Sequence, residues 1–149
     1  MNWEALAWAI DCEGHIGIKK RKKPFNYQAI VKIAMCDKEF PERMKEIFRC
    51  GTIHKRERAV NQRPLYTWVI QAQSEIEKIL MNCLPFFILK GEKAKVMLDF
   101  LKYKSLPRRT HANGHFAPYP KEIWDKYEIY YQEIRNLTKD KRGIKEWLR

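Results

Sequence analysis

The spacing of apolar residues predicts one helix and two strands at the beginning of the chain. Residues 3–11 are rich in Ala and contain neither Gly nor Pro, which favours a helix that Gly14 ends. Residues 15–20 and 27–35 alternate apolar side chains with polar or small ones, a period typical of strands. A basic, proline-containing turn lies between them, so these two strands are expected to form a hairpin.

The same succession of helix, strand and strand follows a second time. Asp37 can cap a helix over residues 38–48, because its side-chain oxygen accepts hydrogen bonds from the free amides of the first turn. Gly51 follows this helix, and residues 52–58 and 65–73 are the predicted strands of a second hairpin.

The remaining chain is predicted to be mostly helical. A capping box that begins at Ser74 predicts a third helix over residues 75–83, and apolar residues at helical spacing predict a fourth over residues 92–103. After a loop rich in Pro, residues 122–137 are expected to form an aromatic-rich helix, followed by a weaker tail helix that Gly143 interrupts.

The order of these elements predicts a single α+β domain. A chain of 149 residues with 45% hydrophobic content is long enough for one compact core and short for two. Residues 1–104 are the predicted core, and residues 105–149 are the predicted loop and helical C-terminal extension of the same domain.

The positive charge is concentrated on the two predicted hairpins. The formal net charge is +12, which makes nucleic acid or an anionic membrane surface the first partner to consider. Residues 15–63 contain fourteen Lys or Arg and five Asp or Glu, an excess of nine. Every second residue of a strand shares a face, and a twisted β-ribbon fits the major groove of DNA. The side chains expected to contact the groove are Lys19, Arg21, Lys32, His54, Arg56, Thr67 and Gln71. The alternative is that these charges only form a solvated face.

No apolar run of the sequence is long enough to span a bilayer, and the N-terminal segment carries Glu4 where a signal peptide would be cationic. We therefore expect an intracellular protein, in the cytoplasm or nucleoid, or in an organelle if the host is eukaryotic.

The cysteines and histidines give little support for a zinc site. The four cysteines include no C-x-x-C pair, so they are expected to be reduced and mostly buried; they are Cys12, Cys36, Cys50 and Cys83. His111 and His115 could bind a metal ion, but no Cys or carboxylate lies beside them at ligand spacing, which favours a solvated loop.

The end of the first predicted helix offers oxygen ligands for a hard divalent cation. Glu13 can supply a carboxylate, and the backbone carbonyls at a helix terminus lack helical partners. One carboxylate makes a poor metal site, but a symmetric dimer would bring two copies of Glu13 together. Composition alone favours the interpretation of Glu13 as an ordinary surface acid.

Residues 6–14, LAWAIDCEG, resemble the nine-residue motif of the LAGLIDADG homing endonucleases, with Glu at the acidic eighth position. The αββαββα succession, the segment CGTI over residues 50–53 and the segment PFFILK over residues 85–90 also look like this family. The resemblance covers about residues 3–103 and includes one copy of the motif. It implies the LAGLIDADG fold with a twisted antiparallel DNA-binding sheet, and a homodimer whose motif helices pack at the two-fold axis.

The resemblance also implies roles for individual residues. Glu13 matches the acid that binds the essential divalent ion, Mg or another such as Mn, with the main-chain carbonyl of Cys12 as a further ligand. Lys90 matches the basic residue near the scissile phosphate. Asp11 matches a structural acid at the helix end, and the expected dimer interface comprises Trp8, Asp11 and Cys12.

Two positions depart from the family pattern. The third motif position, usually Gly, is Trp8, so the dimer seam is expected to be wider or rotated. The polar active-site residue that usually follows the second strand aligns with Met35 or Cys36, and we assign that role to no residue.

Together these expectations describe an intron-encoded homing endonuclease. As a homodimer it would make site-specific double-strand breaks in DNA by Mg-dependent phosphodiester hydrolysis, with neither a membrane nor a small-molecule substrate as partner. An intron RNA-binding maturase of the same fold without cleavage is the alternative, favoured by Met35 and by the basic residues Arg108, Arg109, Lys139, Lys141 and Arg142. A transcription factor that has lost its metal site is a third hypothesis.

Overall fold

The computed structural model describes residues 2–23, 25–107, 112–115 and 118–147, and the side chains of the last helix as far as Thr138. Its elements in chain order are α1 (Trp3–Glu13), β1 (Gly14–Lys22), β2 (Phe25–Met35), α2 (Glu39–Phe48), β3 (Thr52–Arg56), β4 (Leu65–Ile70), α3 (Gln73–Cys83), a 3-10 turn (Leu84–Phe86), α4 (Gly91–Lys104) and α5 (Lys121–Trp147). The predicted α+β class and the αββαββα order are confirmed.

The four strands form one antiparallel sheet in the order β1-β2-β4-β3. Both predicted hairpins are present, and the ladder between β2 and β4 joins them into a single surface. Apolar side chains such as Ile16 and Val31, which are direct partners across β1 and β2, lie on the face that packs against the helices. The residues that alternate with them along each strand form the opposite face of the sheet.

The hydrophobic core lies between this sheet and helices α1, α3 and α4. Ile10, Trp68 and Ile76 are each completely buried in it. The Trp68 indole Nε1 donates a hydrogen bond to the Cys50 carbonyl at 2.9 Å, which fixes the chain at the entry to β3. Gly51 has a φ of +73°, and a Cβ there would lie 2.6 Å from Trp68 Nε1 and 2.8 Å from the Val69 carbonyl oxygen, so this turn requires glycine.

The C-terminal helix packs on α4 and β1 through aromatic side chains. Tyr127 is buried and lies edge-on to Tyr27 of β2 and to Phe100 of α4, with ring centroids 5.9 and 5.4 Å apart. Trp124 makes a similar contact with Phe25, at 5.0 Å. Through these contacts α5 covers part of the apolar side of the first hairpin.

Several predicted element boundaries were wrong. Helix α3 begins at Gln73, after the extended residue Ala72, so Ser74 lies inside the first turn and no capping box forms. Helix α5 continues through Gly143, because one glycine inside a helix costs only about 1 kcal/mol. The third strand ends at Arg56, two residues earlier than expected, and the fourth ends at Ile70.

The cysteines are free, as expected, but fewer are buried than expected. Cys83 is buried and Cys50 is half-buried, whereas Cys12 and Cys36 are exposed. Cys12 is exposed because it lies on the outer side of α1, and Cys36 because it follows the end of β2. His115 is exposed in the loop, and His111 lies outside the described residues. No helix among the described residues is long and apolar enough to cross a membrane.

Candidate functional site

A buried carboxylate ties the end of α1 to the segment that precedes α4. Asp11 is 7% exposed, and its Oδ2 accepts hydrogen bonds from the backbone N–H groups of Ile88 and Leu89 at 2.7 and 3.2 Å. Its Oδ1 accepts a third from the backbone N–H of Lys90 at 2.9 Å. Asp11 therefore acts inside its own chain, where it satisfies three amides that precede a helix.

The side chain of Lys90 also binds the end of α1. It is 8% exposed, and its ammonium donates hydrogen bonds to the backbone carbonyls of Ile10 and Asp11. Carbonyls in the last turn of a helix carry partial negative charge, which favours a cation there. The ammonium is thereby held at the end of α1, two residues before Glu13 in sequence.

Glu13 is the last residue of α1 and its side chain is exposed. The chain passes directly from α1 into β1 at Gly14. A Cβ at this position would lie 2.6 Å from the Ile10 Cα, so the turn requires glycine. Among the described residues, the Glu13 carboxylate takes part in no hydrogen bond or ion pair. Within the same ranges, no three His, Cys, Asp or Glu side chains form a group that could hold a metal ion. One chain thus offers one exposed carboxylate beside the Cys12 carbonyl.

The seven side chains predicted to contact DNA all stand on the face of the sheet that the helices leave open. Lys19 and Arg21 alternate with core-facing residues of β1, and the ladders set Lys32 opposite Val69 and His54 opposite Thr67. Arg56 extends the same face at the end of β3, and Gln71, which accepts a hydrogen bond from Gln28, extends it just beyond β4. We call this set of residues the open face; it comprises Lys19, Arg21, Lys32, His54, Arg56, Thr67 and Gln71.

Residues that were not predicted also belong to this surface. Gln28 Nε2 donates to Gln71 Oε1 at 3.5 Å, and Gln28 Oε1 is buried without a hydrogen-bond partner in the described structure. Thr52 Oγ1 and His54 Nε2 are 3.2 Å apart. The alternation that identified Lys32 and His54 could have identified Gln28 and Thr52 too, because each lies an even number of residues away on the same strand.

His15 and Lys93 were also missed. His15 is directly opposite Lys32 on the open side of the sheet, and Lys93 comes from the first turn of α4, where it is 4% exposed. The pKa of His15 falls to about 4, first because neighbouring atoms desolvate the ring and second because Lys32, Lys93 and Lys90 are positively charged. Part of the ring nevertheless remains accessible to solvent. Alternation would have indicated His15, but the burial of Lys93 depends on packing that no local pattern reveals.

The outer side of α1 is apolar and exposed. Trp8 is 51% exposed, and Cys12 follows it one turn later on the same side of the helix. The segment that Asp11 holds beside α1 adds Ile88 and Leu89, which are 79% and 52% exposed. Exposed apolar side chains grouped in this way are typical of a contact surface.

The sequence model of the LAGLIDADG endonuclease family matches residues 9–104. The matched part begins within α1 and ends with α4, so it includes the whole sheet together with Asp11, Glu13 and Lys90. The chain belongs to the LAGLIDADG endonuclease family. A search of curated protein sequences finds no match.

Solved structures of LAGLIDADG homing endonucleases have the same fold. The chain is similar to I-CvuI, which was solved in complex with the I-CreI target in the presence of Mg, with the DNA not cleaved. The identity is 17% and the TM-score is 0.71, and the match covers 91% of this chain and 80% of that one. It is also similar to the archaeal intron-encoded homing endonuclease I-Vdi141I complexed with DNA, at 17% identity and a TM-score of 0.67, over 91% of this chain and 82% of that one. The I-SmaMI endonuclease bound to cleaved DNA matches at 17% identity and a TM-score of 0.60, over 86% of this chain and 48% of that one.

The structure shows where the side chains lie at the two positions that depart from the LAGLIDADG pattern. The indole of Trp8 points away from the core, so the small residue usual at this position is not needed for packing inside this chain. Met35, at the end of β2, is half-buried and packs against the core, whereas Cys36 is exposed after the strand ends. Met35 therefore belongs to the core side of the sheet.

Proposed function

We propose that the protein is a homodimeric homing endonuclease that binds duplex DNA on its open faces and hydrolyses both strands with a divalent metal ion. The observation that carries the proposal is the exposed Glu13 carboxylate at the end of the motif helix. The cationic face of the sheet begins directly after it, and the carbonyls that bind Lys90 are close to it in sequence. Family membership supports the nuclease activity, and the DNA complexes of I-CvuI and I-Vdi141I support the substrate.

A second copy of the chain would complete the site. Trp8, Cys12, Ile88 and Leu89 form an exposed apolar surface around the end of α1, and burying it against its own copy would remove apolar area from water. Asp11 contributes to this seam indirectly, by fixing Ile88 and Leu89 beside the helix. The two-fold axis would then bring two Glu13 carboxylates close together.

The oxygen donors of this site suit a hard cation such as Mg²⁺ or Mn²⁺. Glu13 and the Cys12 carbonyl would hold the ion, and the partner copy and the DNA phosphate would supply further oxygens, since one chain offers too few. When bound, the ion polarises the phosphoryl oxygen and lowers the pKa of a water molecule. The positive charge of Lys90 stabilises the negative charge that develops on the phosphate as water adds and the P–O bond breaks.

Duplex DNA would lie along the open faces of the two sheets. Lys19, Arg21 and Lys32 carry their charge on the long first hairpin, while His54, Arg56, Thr67 and Gln71 extend the surface across the second. Arg and Lys side chains contact phosphates and guanine edges, and Gln can pair with adenine, so this face can combine affinity with sequence readout.

The test begins with duplex targets selected from a randomised DNA library by binding in Ca²⁺. The selected duplex is then incubated with the protein and Mg²⁺, with EDTA in a parallel sample. We expect discrete cuts in both strands with Mg²⁺ and none with EDTA. Stable, selective binding without cutting under any divalent metal would overturn the nuclease proposal.

An intron RNA-binding maturase is the second candidate, because Met35 packs against the core where the family usually has a polar active-site residue. The same selection with RNA distinguishes the two. The maturase hypothesis predicts that structured intron RNA binds more tightly than the selected duplex and that no DNA is cut. The nuclease proposal predicts the reverse order of affinity.

A further inference from the structure

The outer part of the first hairpin extends beyond the four-stranded part of the sheet. Strand β4 pairs with residues 31–35 of β2, whereas β1 pairs with β2 along the whole of its own length. Residues 17–22 of β1 and 25–30 of β2 therefore form a two-stranded ribbon, which we call the outer ribbon. Two paired strands are marginally stable by themselves, so the position of the outer ribbon depends on what packs against it.

The two faces of the outer ribbon have different neighbours. Lys19 and Arg21 belong to the open face, whereas Lys20, which lies between them in sequence, points to the side of the helices. Lys20 is also the direct partner of Tyr27 across the ladder. A shift of Lys20 therefore moves Lys19 and Arg21 on the opposite face.

Glu128 of α5 binds both Lys20 and Tyr27. Its Oε2 accepts a hydrogen bond from the Lys20 ammonium at 2.8 Å and another from the Tyr27 hydroxyl. Gln132, one turn further along α5, donates to the other carboxylate oxygen at 2.8 Å. Hydrogen bonds to a charged group are shorter and stronger than neutral ones, so this carboxylate fixes the ribbon relative to α5.

Aromatic side chains surround the same ion pair. The Lys20 ammonium lies 5.4 Å from the centre of the Tyr27 ring and 5.9 Å from the centre of the Tyr131 ring. The side chains of Lys20 and Glu128 are 38% and 35% exposed, and an isolated ion pair of this kind contributes little stability. Combined with the ring contacts, however, the pair restricts the outer ribbon to one position on α5.

The outer ribbon is far from the proposed metal ligand. A strand rises about 3.3 Å per residue, so Arg21 is about 23 Å from Gly14, the residue that follows Glu13. On the open face, Lys19 and Arg21 would thus meet base pairs that are distant from the cleavage site. The family model matches residues 9–104, and α5 lies outside this range.

We propose that Glu128 is a positioning residue for DNA recognition, which anchors Lys20 and Tyr27 and so holds Lys19 and Arg21 in register with the outer base pairs of each half-site. Helix α5 thereby takes part in the choice of target from the side of the sheet that faces away from the DNA. This inference rests on the proposed function and deepens it by assigning a role in recognition to the C-terminal helix.

The experiment selects duplex targets from the randomised library in Ca²⁺ with wild type, E128Q and K20M, and compares the base preference at every position. We expect both variants to lose at least about fivefold in preference at the outer base pairs, because misplaced contacts forfeit base discrimination. The preference at the inner base pairs should be kept. A partly unfolded protein would instead lower the active concentration and leave every base preference unchanged.

Kinetics give a second measurement on the same variants. The dissociation constant of the wild-type target should rise in E128Q and K20M. Single-turnover cleavage at saturating duplex should stay within about twofold of the wild-type rate, because the anchor acts on binding and lies far from the reacting phosphate.

E133Q and K19M are the matched controls. E133Q removes an exposed acid from α5 and should keep all base preferences. K19M should lower the slope of log affinity against log salt concentration by about one, because Lys19 is on the open face. K20M should keep the wild-type slope, since Glu128 binds the Lys20 ammonium on the other face. If E128Q fails to fold, K20M, whose side chain is exposed, tests the same anchor.

A double variant tests whether Lys20 and Glu128 act as one link. If they do, E128Q/K20M loses no more affinity than the more affected single variant. Wild-type base preference in both single variants, or a loss of preference spread evenly over all positions, would overturn the positioning role, while wild-type cleavage leaves the proposed function intact. A wild type that neither binds nor cuts any selected duplex would overturn both proposals.

Discussion

At the scale of single residues, the two acids of the motif have different surroundings. Asp11 is buried and accepts three backbone hydrogen bonds, whereas Glu13, two residues later, is exposed at the end of α1. A helix rotates by about 100° per residue, so neighbours two apart face different sides. The motif can therefore combine one acid for structure with another that faces outward.

We predict that D11N destabilises the protein by about 2–3 kcal/mol, because an amide oxygen replaces a charged acceptor and the amide NH₂ faces backbone N–H groups. Urea unfolding followed by circular dichroism measures the change. D99N is the control, since Asp99 is exposed on α4. Equal stability of D11N and wild type would mean that the three hydrogen bonds contribute nothing to the fold.

The division between Asp11 and Glu13 was expected only from the family resemblance. Nothing in the local sequence reveals that Asp11 reaches Ile88, Leu89 and Lys90, because those partners are more than seventy positions away along the chain. The burial of Lys90 depends on the same long-range contact. Sequence patterns identify the participants of such a site, but only the folded chain brings them together.

At the scale of elements, the sheet was the most predictable part of the chain. The period of two assigned side chains such as Lys19, Lys32 and His54 to one face, and the ladders show them there. Local patterns were less informative about element ends, as the start of α3 at Gln73 illustrates, because tertiary packing decides where a helix begins. No local sequence pattern predicts that α5 packs on the first hairpin.

The contact between α5 and the first hairpin includes a charged network. Glu128 accepts hydrogen bonds from the Lys20 ammonium at 2.8 Å and from the Tyr27 hydroxyl, and Gln132 donates to its other oxygen at 2.8 Å. The bonds from Lys20, Tyr27 and Gln132, in that order, lower the pKa of Glu128 to about 2. The folded protein thus favours the ionised carboxylate.

This shift predicts a pH-dependent stabilisation. A carboxylate whose pKa is lower in the folded state contributes stability above its ordinary pKa of 4.5, and the contribution is lost as the pH falls towards about 2. Thermal unfolding of wild type and E128Q should therefore differ most near neutral pH and converge between pH 4.5 and 2. E133Q, an exposed change on the same helix, is the control for the loss of one acidic side chain from α5. A constant difference between wild type and E128Q across this range would contradict the assignment.

At the scale of the whole molecule, the proposed cleavage of both DNA strands requires two copies of the chain. We predict that W8D, which puts a charge on the apolar surface of α1, converts the proposed dimer to a monomer and abolishes cutting of both strands, because a buried charge without a partner is costly. Analytical ultracentrifugation measures the mass. I129D is the control, since Ile129 is 58% exposed but lies on α5. A wild type that is monomeric at all concentrations, or a W8D protein that remains dimeric and active, would contradict the proposed interface.

A comparison of E13Q with E4Q tests whether the Glu13 carboxylate holds the metal ion for cleavage. Glu4 is an exposed acid at the opposite end of the same helix, so E4Q removes the same charge from α1 without touching the site. We predict that the affinity of both variants for the selected duplex in Ca²⁺ stays within a few fold of the wild-type affinity. With Mg²⁺, E4Q should cut both strands at the wild-type rate, and E13Q should be slower by at least about a thousandfold. Cleavage by E13Q at the wild-type rate would contradict a metal-binding role for Glu13.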